Sequence, residues 1–443
     1  MLLLHISDIH FRTPNCTTPD LDPERPFRTH LLRDARNRIN TLGSVGAILV
    51  TGDIAYKGAP EEYDAAFHWL KDLSEACQCP LERVYVVPGN HDVDRSTTRE
   101  PAVRKAQHAI QAAESRHREQ ALRDRFGDPD ASHALLKPLT AYNDFAGRFS
   151  CQVYPPERLY WKQEIELDNG VALRIHGLTS TLLSGTDGDD DTRCSLYLSP
   201  LQTVLDPVGN VVNLVMCHHP PDWFLDYDDV DEAICSRAAI HLFGHNHRQR
   251  IMDPTDYIRF SAGAVNPDRH EPGWEPGYNL IDVKIAGDGA DRNLEINAHV
   301  LRWQSNPDQF VPKRTRKGEE VFRHRIPISD HSYARQAIGD ADVPAITGNS
   351  EPIHDGPIHN NDGLDVEAAM SNASTRKLVF RFWELRVSQR REIARKLELI
   401  TEDELSLPGS ESERYGRALM RAAERGLLDQ VAGEIEKREK NSG

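Results

Sequence analysis

Five short polar strings punctuate the chain: Asp8-Ile9-His10, Gly52-Asp53, Gly89-Asn90-His91-Asp92, His218-His219-Pro220 and Gly244-His245-Asn246-His247. Imidazole nitrogen with carboxylate or amide oxygen is the donor set that suits first-row divalent metals. Two such ions held about 3.5–4 Å apart need a ligand that bridges them, and a carboxylate can give one oxygen to each. Asp53 suits that post. The amide oxygen of Asn90 is neutral and leaves positive charge on its ion, which lowers the pKa of a bound water toward neutrality. His91, one residue past a ligand, is too constrained to reach the same ion and is placed to meet a substrate; Asp92 is expected to hold its ring in one tautomer. A lone histidine ordinarily caps a strand or satisfies a buried backbone group, but that reading would have to hold at every one of these strings.

The elements that position them are legible too. The apolar runs Leu2 to Ile6, Ala47 to Val50, Val84 to Val87, Val211 to Met216 and Ala239 to Phe243 each end just before one string. They predict buried strands, with every candidate ligand on the loop at a strand's end.

In this order the strings closely resemble the calcineurin-like metallophosphoesterase superfamily. The segments LLHISDIHF, VTGDIAYKGAPEEY and VVPGNHDV are most similar to its class III cyclic-nucleotide phosphodiesterase branch, and the resemblance covers roughly residues 1 to 303. It implies an α/β fold, a four-layer sandwich of two mixed β-sheets flanked by helices. It also implies one metal on Asp8, His10, Asp53 and His247, and a second on Asp53, Asn90, His218 and His245, with His91 acting on the leaving oxygen. Of the pair His218-His219, the family pattern assigns the first to the metal; the residues alone leave that choice open. The implied cofactor is two divalent ions, manganese first, with iron, zinc, nickel or magnesium as alternatives. The implied reaction is hydrolysis of a phosphate ester, a phosphodiester such as a cyclic nucleotide or nucleic acid, by hydroxide generated at the metals; a defence nuclease or a protein phosphatase is the alternative. Many relatives carry a further polar residue after the second string, where Tyr56 and Lys57 stand here.

At 443 residues the chain is long for one domain, and two is the better expectation. A net charge of −16 argues against broad nonspecific nucleic-acid binding but leaves room for a local basic groove. Seven cysteines without a C-x-x-C pair read as reduced thiols, so a cytoplasmic location is expected, and Cys77 and Cys79 read as ordinary thiols. No apolar stretch reaches membrane-spanning length, so no membrane partner is expected, and the opening MLLL reads as a first core strand.

Residues 1–330 are expected to form the catalytic domain, with a helical cap at about 93–150. Pro101 through Phe126 reads as helix and is locally basic, either a solvated face or a surface for a phosphate or nucleic-acid strand. Asp187-Gly188-Asp189-Asp190-Asp191 lacks the spacing of a calcium loop and reads as a solvated turn. Residues 331–375 are rich in Gly, Pro, Asn and Asp and read as a flexible linker. Apolar residues at helical spacing then predict a small α-helical bundle over 376–443. Its segments FRFWELRVSQRREIARKLELI and ERYGRALMRAAERGLLDQV resemble the effector-associated, death-like adaptor domains fused to enzymes in bacterial conflict systems. That resemblance implies a protein partner or self-association through this end; a generic helical appendage or dimerisation element is the alternative.

Overall fold

The apolar runs become the central strands of two mixed sheets. The computed structural model describes residues 1–154, 158–206, 208–267, 275–328, 369–370, 372–406 and 409–442. Strand β1 (Leu2–Ile6) pairs in parallel with β2 (Val45–Val50), and β2 in parallel with β3 (Val84–Val86). Nearly every residue of these three strands is buried, as expected of parallel strands covered on both faces. A second sheet has the order β4 (Trp161–Glu166), β5 (Ala172–Gly177), β6 (Val211–Cys217), β7 (Ile240–Phe243), then β9 (Ile258–Ser261) and, at the edge, β8 (Arg250–Met252). The first sheet is completed by β10 (Gly277–Ala286), antiparallel to β1, and by the long β11 (Asn293–Ser305). β12 (Asp308–Pro312) and β13 (Phe322–Pro327) both pair with the free side of β11.

The two sheets share one apolar core. Trp161 of β4 crosses between them: its ring stacks on Tyr85 of β3 and its Nε1 donates to the Val86 carbonyl at 3.1 Å. Helices cover the outside. α1 (Arg25–Leu42) buries Phe27, Leu31, Ala35 and Ile39, and α2 (Pro60–Ala76) buries Tyr63, Ala66, Phe67, Leu70 and Leu73, each set at the three- and four-residue spacing of one helical face.

The cap is helical, but it is not one helix across Pro101–Phe126. It contains α3 (Arg95–Thr98), α4 (Pro101–Gln111), α5 (Ser115–Gly127), α6 (Pro129–Leu136) and α7 (Thr140–Ala146). The break between α4 and α5 contains neither Gly nor Pro. Tertiary pairing holds it, because Arg118 donates both to the Ala113 carbonyl in that break and to Asp226, just before α8 (Tyr227–Arg237). Much of the cap's positive charge is matched within the chain: Arg95 pairs with Asp190, and Arg104 and His108 with Asp187. The acidic run 187–191 therefore docks the cap and is not a free turn.

The expected linker lies largely outside the described residues, and its last three residues, 373–375, are already helical. The C-terminal helices are α9 (Ala373–Glu384), α10 (Val387–Lys396), α11 (Glu402–Ser406), α12 (Glu411–Glu424) and α13 (Leu428–Ser442). They enclose a core of their own, with Val379, Phe382, Ile393, Leu419, Val431 and Ile435 at its centre. They also pack on the N-terminal body. Arg376, 3% exposed, donates to the carbonyls of Glu82, Val84 and Phe149 and lies 4.4 Å from the centre of the Tyr85 ring. Phe380 stacks on Phe67, and Trp383 lies against Gly147. Replacing Arg376 by Met should leave these carbonyls without their charged donor and cost about 2–4 kcal/mol. Thermal unfolding of the metal-free chain should show a lower midpoint; an unchanged midpoint would mean that this contact contributes nothing to the N-terminal body.

Candidate metal centre

Each string sits where a strand ends. Asp8 and His10 follow β1, Asp53 follows β2, Asn90 to Asp92 follow β3, His218 and His219 follow β6, and His245 and His247 follow β7. The ends converge because the strands run parallel and the loops of one sheet cross to the other: Val265 N donates to the Ser7 carbonyl, and Asn266 N to that of Asp8. Close approach demands glycine at two places. A Cβ on Gly89 would overlap the Asp53 carboxylate, and one on Gly244 would overlap Ser7 Oγ.

Five of the candidate ligands hold left-handed backbone, with φ of 55° at Asp8, 53° at His10, 52° at Asp53, 67° at His245 and 50° at His247. A non-glycine residue there costs of order 1–3 kcal/mol, and such strain clusters at functional sites. It aims the side chains inward. One ligand atom from each of Asp8, His10, Asp53 and His247 lies within 4.8 Å of the others, and His218, His219 and His245 form a second such group. Asp53 Oδ2 is 3.3 Å from His10 Nε2 in the first group and 3.3 Å from His218 Nε2 in the second. Asn90 Oδ1 is 3.0 Å from both His218 Nε2 and His245 Nδ1, and Asp8 Oδ1 is 3.1 Å from His247 Nε2.

The outer ring nitrogens are fixed by backbone. His218 Nδ1 donates to the Thr51 carbonyl at 2.7 Å and His10 Nδ1 to that of Asn266 at 3.2 Å. A carbonyl can only accept, so these contacts put the proton on Nδ1 and leave Nε2 directed at the cluster, the orientation a metal-ligating histidine needs. Strained backbone, converging acceptors and oriented imidazoles fit two divalent cations. In the sequence His218 and His219 were equivalent. In the fold His218 faces Asn90 and Asp53, whereas His219 Nδ1 bonds Ser180 Oγ at 2.9 Å and its Nε2 stands 3.6 Å from Asp191. Asp191 is buried beside this histidine.

His91 Nδ1 donates to the Tyr56 carbonyl at 3.0 Å, and its ring stacks on that of Tyr56 at 4.8 Å; the Arg12 guanidinium covers the Tyr56 ring at 3.9 Å. The expectation that Asp92 orients His91 is corrected here. Asp92 accepts from the backbone N–H groups of Gly89, Ile54 and Ala55 and from the Tyr63 hydroxyl, so its oxygens tie the Asp53 and Asn90 loops together and do not reach the imidazole. Glu62 acts similarly, accepting from the N–H groups of Thr13, Tyr56 and Lys57 and so shaping the loop that carries Tyr56. Arg12, Glu62 and Asn266 were not singled out from the sequence as parts of the centre, and Tyr56 was noted there only as filling a loop position. Pro60 at the start of a helix with Glu two residues later was the local signal for Glu62; the others carry none.

Electrostatics follow from burial of unlike groups together. Burial alone would lower the His218 pKa, but the Asp53 carboxylate, with Asp8 and the Thr51 carbonyl, overrides it and lifts it to about 9. Burial would raise Asp8, yet His247 holds it down at about 2. Burial, with His218 nearby, pushes His245 down to about 3, and burial also lowers His91. Burial and the neighbouring Asp53 lift Asp92 to about 6.

The calcineurin-like phosphoesterase family model matches residues 1–249, more than half of the chain, and the chain belongs to that family. A GTPase-associated adaptor domain model matches residues 374–437. The chain is 25% identical over 331 residues to the uncharacterized metallophosphoesterase-like protein YydB of Bacillus subtilis (strain 168), a match covering 68% of this chain and 61% of that one. It thus spans less than two thirds of that relative's length. Similar solved structures include Vps29 of Entamoeba histolytica complexed with zinc (14% identity, 74% of this chain and 100% of that one, TM-score 0.28). Another is a conserved uncharacterized protein of Streptococcus pneumoniae TIGR4 (12% identity, 73% and 97%, TM-score 0.27).

Metal ligation needs neutral imidazole, whereas His218 in the metal-free chain is protonated up to about pH 9. Loading near neutral pH should therefore release about one proton per chain, with affinity falling as pH falls. Calorimetric titration in buffers of different ionisation enthalpy reads this directly, and a heat independent of buffer would contradict it. Asp92→Ala should strand three backbone donors and lower the unfolding midpoint, at a cost of about 3–5 kcal/mol. A variant with unchanged midpoint but lost rate would restore the role expected from the sequence.

Proposed function

We propose that this chain is a dinuclear-metal phosphodiesterase. The observation that carries the reading is the Asp53 carboxylate, with one oxygen equidistant from histidines of both ligand groups. Asp8, His10, Asp53 and His247 would hold one cation, and Asp53, Asn90, His218 and His245 the other. Manganese is the first choice for this mixed nitrogen and oxygen donor set. The two cations, when bound, supply a water-derived nucleophile at neutral pH and neutralise charge on the phosphoryl oxygens.

The chain's own part is to position groups and move a proton. His91 presents Nε2, which has no hydrogen-bond partner among the described residues, while Tyr56 holds Nδ1 and the ring plane. Burial keeps the free imidazole neutral, and an anionic phosphodiester brings the charge that lets Nε2 take up a proton and deliver it to the leaving oxygen. Asp92 keeps this loop in register with the Asp53 loop.

The match over 374–437 supports a recruiting role for the C-terminal helices, through a protein partner or a second copy of the chain. Among the described residues no helix is long and apolar enough to cross a membrane, and all seven cysteines are free thiols, which supports a reducing, cytoplasmic setting.

Chelation should abolish activity and manganese should restore it. His91→Ala should keep both metals and lose about 10²–10⁴-fold in kcat on a ribosyl or alkyl leaving group. The loss should be smaller on p-nitrophenolate, which departs without a proton. Equal losses on both leaving groups, or a variant with an emptied site, would contradict the assigned role.

A further inference from the structure

Two residues past His10, the Arg12 guanidinium stands beside the centre with no carboxylate partner and no side-chain hydrogen bond among the described residues. Its place is set by the pairing of two loops: Phe11 forms a β-bridge with Ala55, and Tyr56 N donates to the Phe11 carbonyl at 3.1 Å. Glu62 fixes the residues on both sides of this contact. One of its oxygens accepts from Thr13 N and Thr13 Oγ1, and the other from the N–H groups of Tyr56, Lys57 and Ala59. Both oxygens of that buried carboxylate are thus engaged by neutral donors, and Arg12 is left over the Tyr56 ring at 3.9 Å. The His91 imidazole stacks on the same ring at 4.8 Å.

Arg12 is half-buried, and its Nε is shut off from solvent with no acceptor. A buried donor left unpaired is costly, and the face of a ring offsets only part of what a guanidinium loses with its water. Arg28 shows the completed form: it covers the Phe11 ring at 4.4 Å and is paired with Asp22. Arg12 lacks such a carboxylate, and a planar, permanently charged fork of N–H groups takes an oxyanion. In the reading above His91 delivers its proton to the leaving oxygen, so an arginine that shares the Tyr56 ring with His91 stands beside the departing half of the substrate. A plain nucleoside or p-nitrophenol departs with no anion for it. The leaving oxygen of a cyclic mononucleotide belongs to a ribose whose one phosphate lies at the metals. A leaving group that is itself phosphorylated brings the missing charge.

Resting on the phosphodiesterase reading, we propose that Arg12 is a specificity-determining residue whose guanidinium binds a second phosphoryl group, carried on the leaving half of the substrate. Water adds across the scissile P–O bond, hydroxyl to phosphorus and proton to the leaving oxygen, and the second phosphoryl group is untouched. The next link of a polynucleotide and the terminal phosphate of a short oligonucleotide share this chemistry. The test is kcat/KM of the manganese-loaded full-length chain on thymidylyl-thymidine and on its 5′- and 3′-phosphorylated forms, the products showing which nucleoside departs. The form phosphorylated on the departing nucleoside should be cut at least about tenfold more efficiently than the unphosphorylated one, as a charge-assisted contact gives. In Arg12→Met that advantage should fall to within about twofold, and Arg12→Lys, which keeps the charge without the planar fork, should retain part of it. The readout is a ratio within one variant, so general damage to the centre cancels. Lys57→Met, which removes a neighbouring exposed cation, should keep the full advantage. Octathymidylate, whose second phosphate is internal, is the other arm: an Arg12-dependent advantage confined to it assigns the group to a strand, and one shared by the dinucleotides to a terminal phosphate as well. The proposal is overturned if neither arm shows an advantage, if Arg12→Met keeps it, or if Lys57→Met loses it equally. If the unaltered chain leaves bis(p-nitrophenyl) phosphate and every nucleotide substrate intact, the phosphodiesterase reading fails on its own. Equilibrium binding of the phosphorothioate-linked forms, which resist hydrolysis, to the unaltered and Arg12→Met chains then decides the Arg12 site by the same ratio.

Discussion

A single carboxylate, Asp53, 1% exposed, sets the terms for the rest of the molecule. One of its oxygens lies within 3.3 Å of two imidazoles from opposite sides of the centre, and the other accepts the His91 backbone N–H at 2.8 Å. A buried negative charge is tolerable only when fully compensated, so every compensating group must be brought to it and held there. That requirement explains why the strand ends meet at one point and why glycine stands at 89 and 244. It also explains why five polar residues hold a backbone conformation that side chains resist. The strain is local, and the buried strands behind it are rigid enough to sustain it.

Around that carboxylate the residues divide their tasks in a way their order does not reveal. Neighbours in sequence, His91 and Asp92, point to different jobs. The half-buried imidazole is stacked on Tyr56, whose ring Arg12 covers, and the carboxylate faces inward and holds two loops together. Histidines 218 and 219 divide in the same manner. In each pair, adjacent side chains leave the backbone in different directions, and only the surrounding loops decide which one faces the centre.

The C-terminal helices are continuous with this arrangement. From Phe380 a run of aromatic contacts passes through Phe67, Phe149 and Phe145 to Tyr63, whose hydroxyl donates to Asp92. The body that matches an adaptor domain therefore rests on the packing behind the loops of the metal centre, with Arg376 reading carbonyls at the edge of β3.

What the sequence determined by itself is the part written locally. Val, Leu and Ile runs bounded by Gly, Asp, Asn and His give buried strands with polar ends, and the order of those ends carries the family resemblance that implies the sandwich and the ligand set. The apolar spacing of the last residues likewise gives a helical body. Other features were decided only by the tertiary structure: the partners of Asp92, the Arg12–Tyr56–His91 stack, the burial of Asp191, the break between α4 and α5 and the docking of Arg376. Each depends on groups brought together from distant parts of the chain; Arg376 meets the carbonyl of Val84, 292 residues away. Hydrophobic periodicity is a property of neighbours, whereas the partner of a buried charge or hydrogen-bond donor is whichever group the packed fold sets beside it.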